Sequence, residues 1–116
     1  MSRVIARWAF NAKFGATREA NASIARWCND VGAKAWTELK WTKAQIAERV
    51  VIEQGSVGAL EQRFELRIEF ASLTELDGFF GAIPGKDHVK WGKDHALLME
   101  GNTKWEIFRT KPIQWE

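Results

Sequence analysis

The sequence has no tyrosine, one cysteine, two histidines and no long apolar stretch. The single thiol, Cys28, excludes an internal disulfide and a multi-cysteine metal cluster, so we expect it to pack within a helix in a reducing compartment. No apolar run approaches the roughly 20 residues of a transmembrane helix, and the start MSRVIARWAF is too short and too charged for a signal peptide. We therefore expect a soluble cytoplasmic protein with no membrane partner.

An excess of charge of one sign is also missing. Seventeen Lys and Arg against fifteen Asp and Glu give a net charge of +2 over 116 residues, and the basic residues are scattered. Because nucleic-acid binding needs a basic stripe or patch, we expect no nucleic-acid partner. With 46% apolar residues the chain can bury one hydrophobic core, which predicts a single domain over residues 1–116.

What the sequence does contain is tryptophan, at seven positions. Five of them fall on faces that the local pattern turns toward the interior: Trp8, Trp27, Trp41, Trp91 and Trp105. Each one alone is best explained as core packing. Together they suggest a cavity with flat aromatic walls, because a buried indole N–H needs a hydrogen-bond partner that a ligand or water can supply.

The segment from Pro84 to Glu100 carries both histidines. At 100° per residue, a helix here gathers five residues on one face: His88, Trp91, Gly92, His95 and Met99. Imidazole can give and take a proton near neutral pH, so His88 and His95 are the candidate catalytic residues. Seven helical residues rise about 10.5 Å, which separates the rings too far for one metal ion, and we expect no metal site. A second interpretation, in which the rings only satisfy buried polar groups, stays open.

Alternation of apolar and polar residues predicts the strands. These are Arg3 to Phe10, Ala33 to Thr42, Val50 to Gln54, Ala59 to Phe70 and Thr103 to Thr110. A turn is predicted at residues 55–58, where the sequence reads GSVG.

Helical spacing predicts three longer helices. They run from Ala16 to Val31 with Gly32 as the C-cap, from Ser72 to Ile83 with a Ser72–Glu75 capping box, and from Lys86 to Met99. The stretch KAQIAER at residues 43–49 fits either a short helix or a bend.

The order strand, helix, strand, optional strand, strand, helix, strand predicts an α+β domain with a ferredoxin-like split βαβ arrangement, an antiparallel sheet and helices on one face. With its length, its broken second helix and the phrase FNAKFG between the first strand and helix, the chain resembles the dimeric α/β-barrel superfamily. That superfamily includes antibiotic-biosynthesis monooxygenases, stress-responsive α/β-barrel proteins and haem-degrading monooxygenases. The resemblance covers nearly the whole chain and is one of pattern.

The resemblance implies that two protomers pair their sheets into a barrel, with a small-molecule cavity in each protomer between sheet and helices. In the haem-degrading branch a histidine of the last helix ligates iron, and His88 and His95 lie in the matching segment. That branch also has a Trp in this region, where the present sequence has Phe79 and Phe80. In a plant cyclase related to the stress-responsive proteins, the histidine acts as a base.

Residues and resemblance together predict a homodimer that binds an aromatic or polycyclic small molecule, as an oxygenase, cyclase or isomerase that needs no cofactor. A non-catalytic dimer that binds a ligand or haem is the alternative. The predicted ligand-binding residues are Trp8, Asn11, Trp41, Phe80, Trp91 and Trp105. The charged face of the strand ending at Phe70 is expected to meet either a second protomer or water.

Overall fold

The computed structural model describes residues 3–55, 62–101 and 103–109. Its elements in chain order are β1 Val4–Ala12, α1 Thr17–Trp27, α2 Ala33–Glu38, α3 Lys43–Arg49, β2 Val50–Gln54, β3 Arg63–Phe70, α4 Leu73–Ala82, α5 Gly85–Ala96, β4 Met99–Glu100 and β5 Glu106–Arg109. The predicted turn at residues 55–58, and the outer ends of the strands predicted to begin at residue 59 and to finish at residue 110, fall partly outside the described residues.

The sheet is antiparallel, with β1 at its centre. One edge of β1 pairs with β3 from Val4 opposite Phe70 to Asn11 opposite Arg63, and β2 lies beyond β3. The other edge of β1 is shared, because β5 pairs with its first half and β4 with its last two residues. This strand order with helices against one face confirms the predicted α+β, ferredoxin-like split βαβ fold.

Strict alternation in β1 and β3 separates the two faces of the sheet. The even-numbered residues of both strands face the helices and are buried, including Phe64, Leu66, Ile68 and Phe70 at 1% exposure or less. Removing this much apolar surface from water is the main stabilising contribution to the fold. The buried face is also the floor on which the candidate site is built.

The strand predicted from Ala33 to Thr42 is wrong, because this stretch continues the first helix. After α1 the chain makes a π-helical turn over Cys28–Gly32, in which the Ala33 N–H donates to the Cys28 carbonyl, and then enters α2. The alternation of Ala35, Thr37 and Leu39 masked a helical spacing that joins Val31, Ala35 and Leu39. The second strand of the sheet is Val50–Gln54, and the uncertain stretch before it is the helix α3.

The end of α2 has the hydrogen bonds of a Schellman motif. Lys40 adopts a left-handed conformation with φ 59°. Its N–H donates to the Thr37 carbonyl and the Trp41 N–H donates to the Trp36 carbonyl, both at 3.0 Å. This reversal carries Trp41 under α4, where its ring stacks on Phe79 with centroids 5.9 Å apart.

Gly32 lies inside the continuous helical segment and is not its C-cap, which corrects the prediction. Its φ is −62°, a value open to any residue. A Cβ atom there would lie 2.9 Å from ring atoms of both Trp27 and Trp36. The position is therefore glycine because two indoles pack directly on its backbone.

The last two helices begin where the sequence predicts. Ser72 Oγ accepts from the Glu75 N–H at 3.1 Å, while the Glu75 carboxylate accepts from the Ala71 N–H, so the predicted capping box is only half formed. Pro84 precedes α5, which ends at Ala96, three residues before the predicted Met99. Within the described ranges, no helix is long and apolar enough to cross a membrane.

Replacing Gly32 with Ala tests the indole packing. We expect Gly32→Ala to lower the free energy of unfolding by about 1–3 kcal/mol, because both rings must move away from the new methyl group. The matched control is Gly81→Ala in α4, where a Cβ meets nothing within 4 Å. Thermal unfolding should show a Tm that falls by roughly 5–10 °C in the first variant and is unchanged or raised in the control. Equal Tm changes in the two variants would contradict this packing.

Candidate functional site

A cavity of about 230 Å³ lies between α5 and the inner face of the sheet. It is lined by Trp8, Trp27, His88, Trp91, Gly92, His95, Met99, Thr103, Lys104 and Trp105. A larger groove of about 390 Å³ lies between α5 and the segment from the end of α1 to α2, and its walls are mostly charged side chains such as Arg26, Asp30 and Asp87. Aromatic walls and both histidines occur together in the smaller cavity, which is therefore the candidate site.

Three rings of α5 are stacked along the helix. The ring planes of His88 and Trp91 differ by 21° with centroids 6.1 Å apart, and those of Trp91 and His95 differ by 17° with centroids 4.7 Å apart. The spacing of three and four residues produces this stack, because it returns side chains to one helix face. The indole of Trp91 thus separates the two imidazoles.

His95 is the deeper of the two histidines, with 1% exposure. Its Nδ1 lies 2.7 Å from Ser23 Oγ, and its ring meets Phe10 edge-on at 4.6 Å between centroids. Its Nε2 is buried and has no hydrogen-bond partner among the described residues. Burial, and secondly the positive charge of Arg26, lower the pKa of His95 to about 4. The ring is therefore neutral at pH 7.

His88 is half-buried at the other end of the stack. Its Nδ1 accepts a hydrogen bond of 3.1 Å from the indole Nε1–H of Trp27. Burial lowers the pKa of His88 below its ordinary value. Both imidazoles at the site are thus neutral near pH 7, and one ring nitrogen of each is already engaged by α1.

Ser23 is a residue of the candidate site that the sequence pattern does not single out. It is fully buried; its hydroxyl meets His95, and its carbonyl accepts a hydrogen bond of 2.8 Å from Trp91 Nε1–H. The signal was present in the sequence, because a serine between Ala20, Ile24 and Trp27 falls on the apolar face of α1. A polar side chain on a buried helix face requires a partner across the interface.

The structure separates the predicted ligand-binding residues into two groups. Trp8, Trp91 and Trp105 line the cavity together with the histidines, and Phe80 supports Trp105 from behind at 5.4 Å between centroids. Trp41 packs at the far end of the core, under Arg49. It lies there because the segment before it is helical.

Asn11 also lies away from the cavity. The strand β1 continues to Ala12, so Asn11 shares the outer face of the sheet with Arg7 and does not follow the strand as a turn residue. Its Oδ1 is buried and has no partner among the residues described. The sequence pattern placed the strand end two residues too early, which turned this side chain to the wrong face.

The side chains of the site also bear on whether it could hold a metal ion or haem. In the described parts of the chain, no three His, Cys, Asp or Glu side chains form a group that could hold a metal ion. A porphyrin needs more room than the cavity of about 230 Å³ offers, since drug-sized ligands already occupy pockets of about 300–1,000 Å³. The residues of this site therefore do not fit haem in the arrangement observed.

Cys28 contributes no chemistry to the site. It lies in the π-helical turn, partly buried against the core. Burial raises the pKa of its thiol to about 11, so the reactive thiolate is scarce at neutral pH. This placement agrees with the packing role expected from the sequence.

Solved structures of other proteins share this fold. A protein of Bordetella bronchiseptica named as a candidate antibiotic biosynthesis monooxygenase superposes with a TM-score of 0.56 at 12% identity, over 98% of this chain and 100% of the other. A NIPSNAP family protein of Agrobacterium tumefaciens gives 0.54 at 14% identity, over 97% and 95% of the two chains. A Mycobacterium tuberculosis protein gives 0.56 at 11% identity, over 97% of each chain.

Comparisons of sequence alone add nothing to this result, since no family model and no curated protein matches the chain. The structural neighbours bear out the suspected resemblance to the dimeric α/β-barrel superfamily at the level of the ferredoxin-like fold. At these identities the likeness establishes the fold and leaves the chemistry to be argued from the site.

The buried imidazole of His95 predicts a loss of stability in acid. Between pH 6.5 and about 4 the unfolded chain takes up a proton on this residue that the native protein does not. Stability therefore falls as the pH decreases through this window, by on the order of 3 kcal/mol in total. Urea unfolding from pH 7.5 to 4 should show a shallower decrease for His95→Gln than for the wild type. The control His88→Gln should retain most of the wild-type pH dependence, and a wild-type slope in His95→Gln would refute the prediction.

Proposed function

We propose that the protein binds a planar aromatic small molecule in the cavity under α5 and converts it without a bound cofactor, by isomerisation, cyclisation or oxygenation with dioxygen. The observation that carries this proposal is the cavity itself, in which several indoles and two neutral imidazoles meet beside a glycine. Flat aromatic walls favour flat ligands, because ring faces and edges pair with the offset geometry that aromatic rings prefer.

The volume of the cavity limits the size of the ligand. A protein cavity of about 150 Å³ can hold benzene, so about 230 Å³ suits a compound of one or two rings. The larger polycyclic compounds considered from the sequence would require the walls to open. We therefore propose a monocyclic or bicyclic ligand.

The chemistry assigned to the site is proton exchange at a bound ring. His88 is half-buried and neutral near pH 7, so it can exchange a proton with a ligand at the edge of the cavity. His95 lies deeper and stays neutral to about pH 4, so we assign it to orienting the ligand and stabilising its charge. Isomerisation and cyclisation require only such proton transfers.

A non-catalytic ligand carrier is the second candidate function. This function is favoured by the hydrogen bonds of the two imidazoles. His95 is hydrogen-bonded to a buried serine and His88 to a buried indole, as is expected of histidines with a purely structural role. The fold is compatible with both functions. Turnover distinguishes them.

Filling the cavity from Gly92 tests the proposed function. A Cβ at Gly92 meets nothing within 4 Å, so Gly92→Leu places its side chain in the cavity without a backbone clash. We expect a ligand of one or two aromatic rings at about 100 Kd to raise the Tm of the wild type by roughly 10 °C. Gly92→Leu should lose this shift, while Gly81→Leu, at an equally open helical glycine, should keep it.

The same ligands should be converted under air by the wild type and not by His88→Gln, as followed by product chromatography. Binding that Gly92→Leu leaves unchanged would refute the proposed site. Binding without conversion by the wild type would favour the carrier.

We also propose that the outer face of the sheet covers the same face of a second copy of this chain. Several of its charged side chains are already paired within the protomer, with Arg7 2.9 Å from Glu65 and Arg67 3.3 Å from Glu53. Phe108 on this face is 40% exposed under the guanidinium of Arg7. Paired charges around apolar side chains suit a protein interface, where about 800 Å² per partner is typical.

Substituting Phe108 with Asp tests the proposed dimer. We expect the wild type to sediment as a dimer and Phe108→Asp to sediment as a monomer with an unchanged circular dichroism spectrum, because a buried unpaired carboxylate opposes association. Val89→Asp is the control, since Val89 is 57% exposed on α5, away from the sheet. A monomeric wild type at micromolar concentration would exclude the proposal.

A further inference from the structure

The hydrogen bond from Trp27 determines where the proton of His88 lies. An indole nitrogen can only donate, so His88 Nδ1, 3.1 Å from Trp27 Nε1, must be the acceptor. A neutral imidazole carries one proton, and with Nδ1 accepting, that proton is on Nε2. His88 therefore offers an N–H donor, and not a lone pair, on its second nitrogen.

The same reasoning applies to His95 through Ser23. Ser23 Oγ is fully buried and His95 Nδ1, at 2.7 Å, is the one partner found for it among the described residues. If the hydroxyl accepted a proton from Nδ1–H, both its own O–H and the Nε2 lone pair would stay buried without a described partner, whereas a donating hydroxyl leaves only Nε2–H unpaired. The hydroxyl therefore donates to Nδ1, and the proton of His95 is on Nε2, the buried nitrogen without a described partner.

Gly92 lies between these two rings on the cavity face of α5. A glycine in the middle of a helix is less stable than alanine by about 1 kcal/mol, and here no neighbouring atom within 4 Å requires the absence of a Cβ. The space above its backbone is bordered by one imidazole on each side. A flat molecule can rest directly on the helix there.

The remaining polar side chains around the cavity supply mostly donors. Lys104 is the charged residue of the lining, and the hydroxyl of Thr103 already donates to the Ala9 carbonyl. The side chains of the lining thus present the N–H groups of the two imidazoles, the indole N–H groups of Trp8 and Trp105, and one ammonium. A ligand that brings further donors would leave these groups unpaired.

We propose that the ligand is a planar aromatic anion whose carboxylate or phenolate oxygen accepts a hydrogen bond from His88 Nε2–H at the edge of the cavity, with Lys104 providing the compensating charge. This inference rests on the proposed function and names the chemical class that the cavity selects. It also assigns His88 in the resting site to stabilising negative charge on oxygen, because its second nitrogen carries a proton. The proton exchange proposed above for His88 then requires the hydrogen bond from Trp27 to break and free Nδ1.

Three naphthalene compounds of similar shape test this proposal. They are naphthalene-2-carboxylate, neutral naphthalene and cationic 2-naphthylmethylammonium, titrated into the full chain at pH 8 with calorimetry. The carboxylate should bind roughly tenfold or more tighter than naphthalene, since charge-assisted hydrogen bonds are among the strong ones, and the cation should bind weakest. Naphthalene or the cation binding as tightly as the carboxylate would overturn the proposal while leaving the proposed function standing. No binding by any of the three would overturn both.

Substitution of the lysine provides a second measurement in a variant that should fold. Lys104→Gln removes the charge at an exposed position and should weaken carboxylate binding severalfold while leaving naphthalene binding unchanged. Lys93→Gln, at an exposed position of α5 outside the lining, is the control and should bind both as the wild type does. Equal effects of the two variants on carboxylate binding would overturn the assignment of Lys104.

The positions of the two protons can be observed directly. Long-range ¹⁵N–¹H correlation spectra of the free protein should show both imidazoles protonated on Nε2. In Trp27→Phe, His88 should lose this single tautomer and His95 should keep it. A wild-type spectrum with either ring protonated on Nδ1 would overturn the inference, whatever the affinities are.

Discussion

Two residues of α1 hold the three rings of α5 that border the candidate site. Ser23 binds the imidazole of His95 through its hydroxyl and the indole of Trp91 through its carbonyl, and Trp27 binds the imidazole of His88. Each of these bonds is worth only about 1 kcal/mol in net stability. Their larger effect is on orientation, because they fix the stack of rings that walls the cavity and determine which ring nitrogen carries each proton.

The sequence predicted the secondary structure correctly where an element buries one clearly apolar face. In β3 the alternation of Phe64, Leu66 and Ile68 with charged residues can only belong to a strand with one buried side. It failed over residues 33–42, where alanine and threonine at every second position also satisfy helical spacing. Neither Ala35 nor Thr37 has an intrinsic preference strong enough to decide between helix and strand. The packing of α2 against α4 decides for the helix.

The sequence predicted which residues of the site face the interior, but it did not predict their hydrogen-bond partners. The shared face of His88 and His95 followed from helical geometry, and the interior positions of Trp8 and Trp105 from alternation. The partners of the imidazoles did not follow, because they come from α1, more than 60 residues away in the chain. Periodicity assigns a side chain to the interior, but it does not tell which element lies opposite.

The π-helical turn between α1 and α2 has a further consequence for how one long helix is used. A turn closed by a bond to the fifth preceding residue contains one residue more than an α-helical turn, which rotates the succeeding helix by about 100°. The segment before the turn faces α5 and the segment after it faces α4. This change in angular phase lets one continuous helical segment pack against two neighbouring helices on different sides. Deleting a single residue from Cys28–Gly32 would bring α1 and α2 into the same helical phase. Either α4 or α5 would then lose the helix face against which it packs.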